Sequence, residues 1–352
     1  MNKKAACGAA FLLGDINMGL YLSSGYLDFE KIVNYKLPFN FIIGGRGSGK
    51  TYGALKYVLD THKKFMLLRR LQSQIDLVGK PEFSPFKAVA ADMGIEIGVK
   101  SISKYNSVFL RNEEVLGYSA ALSTISNLRG FDASDVEMII YDEFIPEPHE
   151  KPMRAEGTAF LNMYETVNRN RELKGADPVQ LIALANSNDL ANAIFIELGI
   201  VDKVQKMAER RQEIMIIRDR GIGLFMLEFS PISSEKRKTA LYRLMEAEND
   251  FTEMALNNSF SGNTIERVEG RNLKEFIPIL KVGELAIYKH KSKREYYVST
   301  HASGAIREMG TGDLDLKRFR TYYSYLWECY LAGDMVFESY ALQVLFEKYM
   351  GF

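Results

Sequence analysis

Gly44-Gly45-Arg46-Gly47-Ser48-Gly49-Lys50-Thr51 satisfies every fixed position of the pattern G-x-x-x-x-G-K-[ST]. Its flanks suit that pattern. Phe39-Asn40-Phe41-Ile42-Ile43 is apolar and β-prone, the composition of a buried strand. Tyr52 to Asp60 lacks proline, and lacks glycine after Gly53, so a helix is predicted there. A strand, glycine loop and helix in that order aim backbone N–H groups and the positive end of the helix dipole at one spot, where phosphate oxygens bind. Lys50 would then reach the β- and γ-phosphates of ATP, and the Thr51 hydroxyl would hold Mg²⁺. Gly44, Gly45, Arg46, Gly47, Ser48 and Gly49 form the cradle, with Tyr52 just behind it. A glycine turn that carries Lys-Thr by chance would not need both flanks.

About ninety residues on, Met138-Ile139-Ile140-Tyr141-Asp142-Glu143-Phe144 runs from apolar residues into two carboxylates, as a buried parallel strand would. Adjacent residues face opposite sides of a strand, but at its tip both can reach a phosphate site. Asp142 is expected to position Mg²⁺ and Glu143 to polarise the attacking water, the two roles that γ-phosphate hydrolysis asks of carboxylates. Alone, the pair would equally suit a solvated strand end.

Other segments alternate between the two periods. Phe65 to Leu68 reads as a strand ending in Arg69-Arg70. Ser107–Leu110 and Val115–Tyr118 flank a polar turn and predict a hairpin. Ala120 to Ile125 reads as another strand. Glu156 to Val167 reads as a helix with Phe160, Leu161, Tyr164 and Val167 on one face. Val179–Ala185, Glu213–Arg218 and Leu224–Phe229 are further strands. The fold class is α/β, a parallel sheet with helices on both faces, which binds ligands at the carboxyl ends of its strands. Asn186 falls at such an end and could sense the γ-phosphate, or simply cap a helix. Arg129, before the acidic strand, and Arg169 and Arg171, after the following helix, could stabilise charge on a transferring phosphoryl group. Cations also suit a helix C-terminus without any chemistry.

Composition bounds the rest. With 352 residues, 47% of them hydrophobic, the chain can fill two domains. Lysine plus arginine balances aspartate plus glutamate at 45 each, so nucleic-acid contact must come from local patches. Cys7 and Cys329 make no disulfide framework, and His62, His149, His290 and His301 form no metal motif. Met1 to Leu20 is faintly signal-like, but Asp15 and Asn17 interrupt it too early; a docking segment or frayed arm is expected, with no membrane span.

Together these motifs resemble the DNA-packaging ATPases of small phi29-like bacteriophages, short relatives of the large terminase subunit. The resemblance is carried by Asn40 through Tyr52, Leu68-Arg69-Arg70, Ile140-Tyr141-Asp142-Glu143-Phe144-Ile145, Val167-Asn168-Arg169-Asn170-Arg171-Glu172 and Leu184-Ala185-Asn186. It continues through Ser234-Glu235-Lys236-Arg237-Lys238-Thr239 and Glu253 to Phe260, covering nearly the whole chain after residue 20. It implies a motor that drives double-stranded viral DNA into a preformed procapsid. The motor would be a homomeric ring, pentameric in the family, with ATP sites at subunit borders. It would work in the host cytoplasm, docked on the portal protein, with a structural packaging RNA as a further partner. On this resemblance Arg169 matches the arginine finger. Arg129 falls where the family has a lysine acting in trans, a departure that leaves its role open, as are the roles of Arg69 and Arg70. A helicase or phage-assembly ATPase is the competing motor, and an ATP-bound scaffold the non-enzymatic alternative.

Three parts are expected: an ATPase domain over 1–228, a helical linker over 229–262 and a smaller α+β domain over 263–352. In the last, strands are predicted at Phe276–Leu280, Glu284–Lys289 and Glu295–Thr300, and helices at Leu316–Trp327 and Phe337–Tyr349. Large terminases carry an RNase H-like nuclease here. That chemistry needs carboxylates clustered around two metal ions, yet Asp313, Asp315 and Asp334 lie in loop-like sequence. A degenerate nuclease fold without nuclease activity is expected. Lys289, Lys291, Lys293 and Arg294, interleaved with Tyr288, Tyr296 and Tyr297, and then Lys317, Arg318 and Arg320, could grip phosphates without reading sequence, or contact portal or RNA.

Overall fold

The computed structural model describes residues 19–128, 132–146, 150, 153, 155–186, 190, 192–227, 231–244, 267–304 and 306–351. Two sheets organise it. The first has nine strands, β1 (Phe39–Gly44), β2 (Phe65–Arg69), β3 (Gly98–Ser101), β4 (Ser107–Arg111), β5 (Glu114–Ala121), β6 (Met138–Asp142), β7 (Gln180–Ala185), β8 (Ile214–Ile217) and β9 (Ile222–Leu227). Their order is β3-β4-β5-β2-β6-β7-β1-β9-β8. The six central strands, β5 to β9 in that order, are mutually parallel. At the edges the pairs β3–β4, β4–β5 and β8–β9 are antiparallel, so the sheet is mixed rather than wholly parallel. Tight hairpins make the antiparallel edges, because a parallel neighbour needs a long crossover. The hairpin β4–β5 turns through Asn112 and Glu113, both at positive φ.

Central strands are buried on both faces, and the alternation of side chains sorts them into two cores. On one face Phe41, Met66, Leu68, Ile139 and Tyr141 meet Phe160, Met163 and Val167 of the helix Glu156–Asn168. On the other, Ile42, Phe65, Leu67 and Ile140 meet Ala54, Leu55 and Val58 of the helix Lys50–Asp60. Two expectations shift in detail. Ala120 and Ala121 are the end of β5, paired with Leu68 and Arg69, and no separate strand follows. The chain there tightens into a 3₁₀ stretch, Leu122–Leu128, as Ser123 N–H donates to the Arg70 carbonyl at 3.0 Å. In the helix Glu156–Asn168, Leu161 faces solvent and Met163 fills the core place instead.

The second sheet comprises β10 (Phe276–Val282), β11 (Leu285–His290), β12 (Tyr296–Ser299), β13 (Arg307–Met309) and β14 (Met335–Phe337), in the order β13-β10-β11-β12-β14. β10, β11 and β12 form an antiparallel meander, with β13 and β14 parallel on its two edges. The helix expected over Leu316–Trp327 is two, Asp313–Tyr322 and Ser324–Leu331, broken at Tyr323. The helix expected from Phe337 begins only at Tyr340. Met335 and Phe337 alternate inward as β14, and the Ser339 hydroxyl then caps the helix by accepting from Leu342 N–H at 3.4 Å. That last helix, Tyr340–Met350, ties the two halves. Leu342 and Phe346 enter the C-terminal core, while Tyr340, Ala341 and Val344 pack on the core of the first sheet.

The linker lies partly outside the described residues; what is described are two short helices, Ile232–Lys236 and Ala240–Leu244. Among the described residues no helix is long and apolar enough to cross a membrane.

Candidate active site

Because β1, β2, β6, β7 and β9 are parallel, their carboxyl ends open on one edge. The glycine loop follows β1 there, and Lys50 starts the next helix. Gly49 has φ +91°, a conformation that costs a side chain strain. At Gly44 a methyl group would lie 2.7 Å from Leu227 Cβ, so β9 can approach the loop only with glycine in that place. The Lys50 ammonium is folded into the loop, donating to the Gly44 carbonyl at 2.8 Å, the Gly45 carbonyl at 2.9 Å and Ser48 Oγ at 3.2 Å. Burial pulls its pKa down to about 7, against an opposing pull from Asp142 and with help from the nearby Lys236. A buried amine held by neutral oxygens is what an incoming polyphosphate would recharge.

Asp142 ends β6 and is buried. Its Oδ1 accepts from Thr51 Oγ1 at 3.0 Å, and its Oδ2 is 2.7 Å from Arg69 Nη2. A hydroxyl and a carboxylate at this spacing are hard oxygen ligands of the kind Mg²⁺ takes, one directly and one directly or through water, so the donor set fits the metal. Glu143 carries φ +57°. That turn brings its carboxylate onto Arg69 Nη1, so one guanidinium holds both acids. Strand alternation alone would have put the two carboxylates on opposite sides.

The next arginine works differently. Arg70 is fully buried and forms a fork on Glu156, Nε to Oε1 at 2.6 Å and Nη2 to Oε2 at 3.0 Å, with Glu150 at 3.2 Å. It ties the end of β2 to the start of the helix Glu156–Asn168. The paired arginines were visible in sequence, but their division into one arginine on the acidic tip and one on a buried glutamate depends on β2 lying beside β6.

Asn186 sits partly exposed at the end of β7, on the same edge. Arg46 is exposed on the loop. Tyr52 follows Thr51 in the helix and donates its hydroxyl to Asp92 at 2.8 Å. Arg129 lies outside the described residues. Arg169 is not brought into this site. The helix before it starts at the carboxyl edge, through Glu156, and ends where Asn168 Oδ1 accepts from Val179 N–H at 2.9 Å, just ahead of β7. Thirteen residues span about 20 Å. Arg169 therefore stands at the amino edge of the sheet, its backbone at φ +48° and its guanidinium 3.3 Å from Asp132.

A glycine loop, a hydroxyl–carboxylate pair and a second carboxylate at the carboxyl edge of a mostly parallel sheet define a P-loop nucleotide-binding protein. The chain belongs to the podovirus DNA encapsidation protein (Gp16) family, whose model matches residues 22–311. It is 29% identical over 249 residues to the DNA packaging protein of Bacillus phage phi29, covering 69% of this chain and 68% of that one. To the DNA packaging protein of Bacillus phage B103 it is 26% identical over 246 residues, with 68% and 70% covered. The solved phi29 viral genome packaging motor assembly contains a chain of the same fold, with a TM-score of 0.64 at 19% identity over 92% of this chain and 98% of that one.

Proposed function

We propose that this DNA-packaging protein hydrolyses ATP and uses the energy to translocate double-stranded DNA into a procapsid, as one subunit of a homomeric ring, pentameric by the family resemblance. One observation carries the mechanism. Lys50, Thr51, Asp142 and Glu143 converge on one edge, while Arg169 stands a helix length away. Such a site binds Mg²⁺–ATP by itself but obtains its arginine from the next subunit, so hydrolysis depends on assembly. Bound Mg²⁺ would neutralise charge on the β- and γ-phosphates. Lys50 would follow the phosphates out of the loop carbonyls, and Thr51 and Asp142 would hold the metal. Glu143, released from Arg69, orients and deprotonates the attacking water. Asn186 stands at the edge where the γ-phosphate would be sensed. Residues 1–228 carry this chemistry, 229–262 link, and 263–352 meet DNA, portal or RNA.

The C-terminal part is read as a non-cleaving unit. Asp334 is 2.7 Å from Arg294 and Asp315 is 3.7 Å from Arg318, so these acids are engaged with cations on separate elements. Its basic turn lines a cleft of about 560 Å³ with Tyr296 and Tyr325. Lys291 donates to the Lys274 carbonyl and Arg294 pairs with Asp334, leaving Lys289 and Lys293 as exposed cations for phosphate contact. The working location follows from these partners: host cytoplasm, docked at the procapsid portal.

The test is steady-state ATP turnover with double-stranded DNA and empty capsids, for the native chain, Glu143→Gln, Arg169→Ala and a mixture of the two variants. Each variant alone should bind ATP and fail to turn over. In the mixture, borders that join an intact Glu143 to an intact Arg169 should recover part of the activity. Normal turnover by Arg169→Ala alone would sink the shared site. A native chain inactive under every assembly condition would favour an ATP-bound scaffold.

A further inference from the structure

The linker leaves β9 at Leu227, which pairs in register with Gly44, so it departs beside the phosphate loop. It does not move away. A methyl group at Gly25 would lie 3.0 Å from the Ile232 backbone nitrogen and 3.2 Å from Pro231 Cβ, which places the start of the linker helix against the segment 20–28. That segment in turn clasps the loop: Leu27 N–H donates to the Ser48 carbonyl at 2.9 Å, and Tyr26 lies against Gly49. At the far end of the same short helix, Lys236 reaches the loop directly. A methyl group at Gly47 would lie 2.5 Å from Lys236 Nζ and 2.8 Å from its Cε. This ammonium is half-buried, and no carboxylate among the described residues pairs with it; the neighbouring Lys238 takes Glu235 at 2.7 Å.

An unpaired, partly buried cation over a glycine loop that already holds one lysine is unfavourable by itself, since like charges repel and burial penalises both. Burial lowers the Lys236 pKa, and its charge helps to lower that of Lys50. The negative charge of a polyphosphate entering the loop would offset both penalties. We infer that Lys236 is a phosphate ligand, contributed by the linker, for the nucleotide held by Gly44–Thr51. This rests on reading that loop as the nucleotide site. It deepens that reading, because the segment that leads on to residues 267–351 would then take hold of the bound nucleotide and let go when phosphate leaves.

The experiment is calorimetric titration of the full chain with Mg²⁺–ATP, for the native protein, Lys236→Met, Lys236→Arg and Lys50→Ala, with a denaturant unfolding curve for each. Lys236→Met keeps the apolar stem and removes the charge. It should weaken ATP binding about tenfold or more, the ordinary effect of losing one charge-assisted contact, with an unchanged unfolding midpoint. Lys236→Arg should regain most of the affinity. Native affinity in Lys236→Met would overturn the inference while leaving the nucleotide site standing. Equal losses in the Met and Arg variants would also overturn it, because shape rather than charge would be at stake. Should native protein and Lys50→Ala both fail to bind ATP, the nucleotide site and the inference would fall together.

Discussion

Nucleotide binding at pH 8 should draw a proton from solution, and the amount follows from the environment of Lys50. Burial holds its pKa at about 7 rather than 10.5. At pH 8 about 0.9 of the free protein then carries a neutral Lys50. A bound triphosphate places negative charge against the amine and returns it to the protonated form. The expected uptake is therefore about 0.9 proton per site at pH 8, falling to about half at pH 7. The phosphates themselves contribute little at pH 8, since their last pKa lies near 6. The shift corresponds to something on the order of 5 kcal/mol withheld from Lys50 in the free protein. Its sign for stability is also set. Between pH 7 and 10.5 the unfolded chain binds more protons at this site, so stability from this group rises with pH across that window. Calorimetry of Mg²⁺–ATP binding in buffers of different ionisation enthalpy reads the proton count directly. A binding enthalpy independent of buffer would refute the reasoning, and so would the same buffer slope in Lys50→Met.

Two further substitutions separate the paired arginines. Arg69→Met should leave Asp142 and Glu143 uncompensated, lowering unfolding free energy by about 2–4 kcal/mol. Millimolar Mg²⁺ should restore part of that loss by taking the place of the guanidinium. A variant whose denaturant midpoint ignores Mg²⁺ would show that these acids do not form the metal site. Arg70→Met strands Glu156, which is 4% exposed, and should cost about 3–5 kcal/mol. Arg70→Met with Glu156→Leu should recover much of it, so equal losses in the single and double variants would argue against a desolvated pair.

What could be read from the chain alone was whatever is local in sequence. The loop Gly44–Thr51 needs its glycines, its lysine and its threonine at fixed spacing. The run of apolar residues into Asp142 and Glu143 and the alternation of Phe41, Ile42 and Ile43 likewise declare strands buried on both faces. Helix within the stretch 229–262 and a hairpin around residue 112 were equally legible, because turn chemistry and period are short-range. Where two signals overlapped, the reading slipped. Ala120–Ile125 and Phe337–Tyr349 are apolar enough for either period, and only strand pairing with β2 and β12 decided where each strand ends.

Tertiary structure alone decided which distant charges meet. Arg69 serves Asp142 and Glu143 because β2 and β6 are neighbours, and because a left-handed turn at Glu143 bends its carboxylate back. Arg70, one residue on, faces the other way and is spent on Glu156. Arg169 is kept away from its own phosphate loop by the direction of one helix, a placement on which the proposal of a shared site rests. In sequence Lys236 is one residue of the stretch 234–239; the placement of β9 beside Gly44 and of the helix Ile232–Lys236 against the loop brings its ammonium to Gly47. Spacing along a chain specifies one element at a time; the order of strands in a sheet brings the ends of different elements together, and the shared charge sits at those ends.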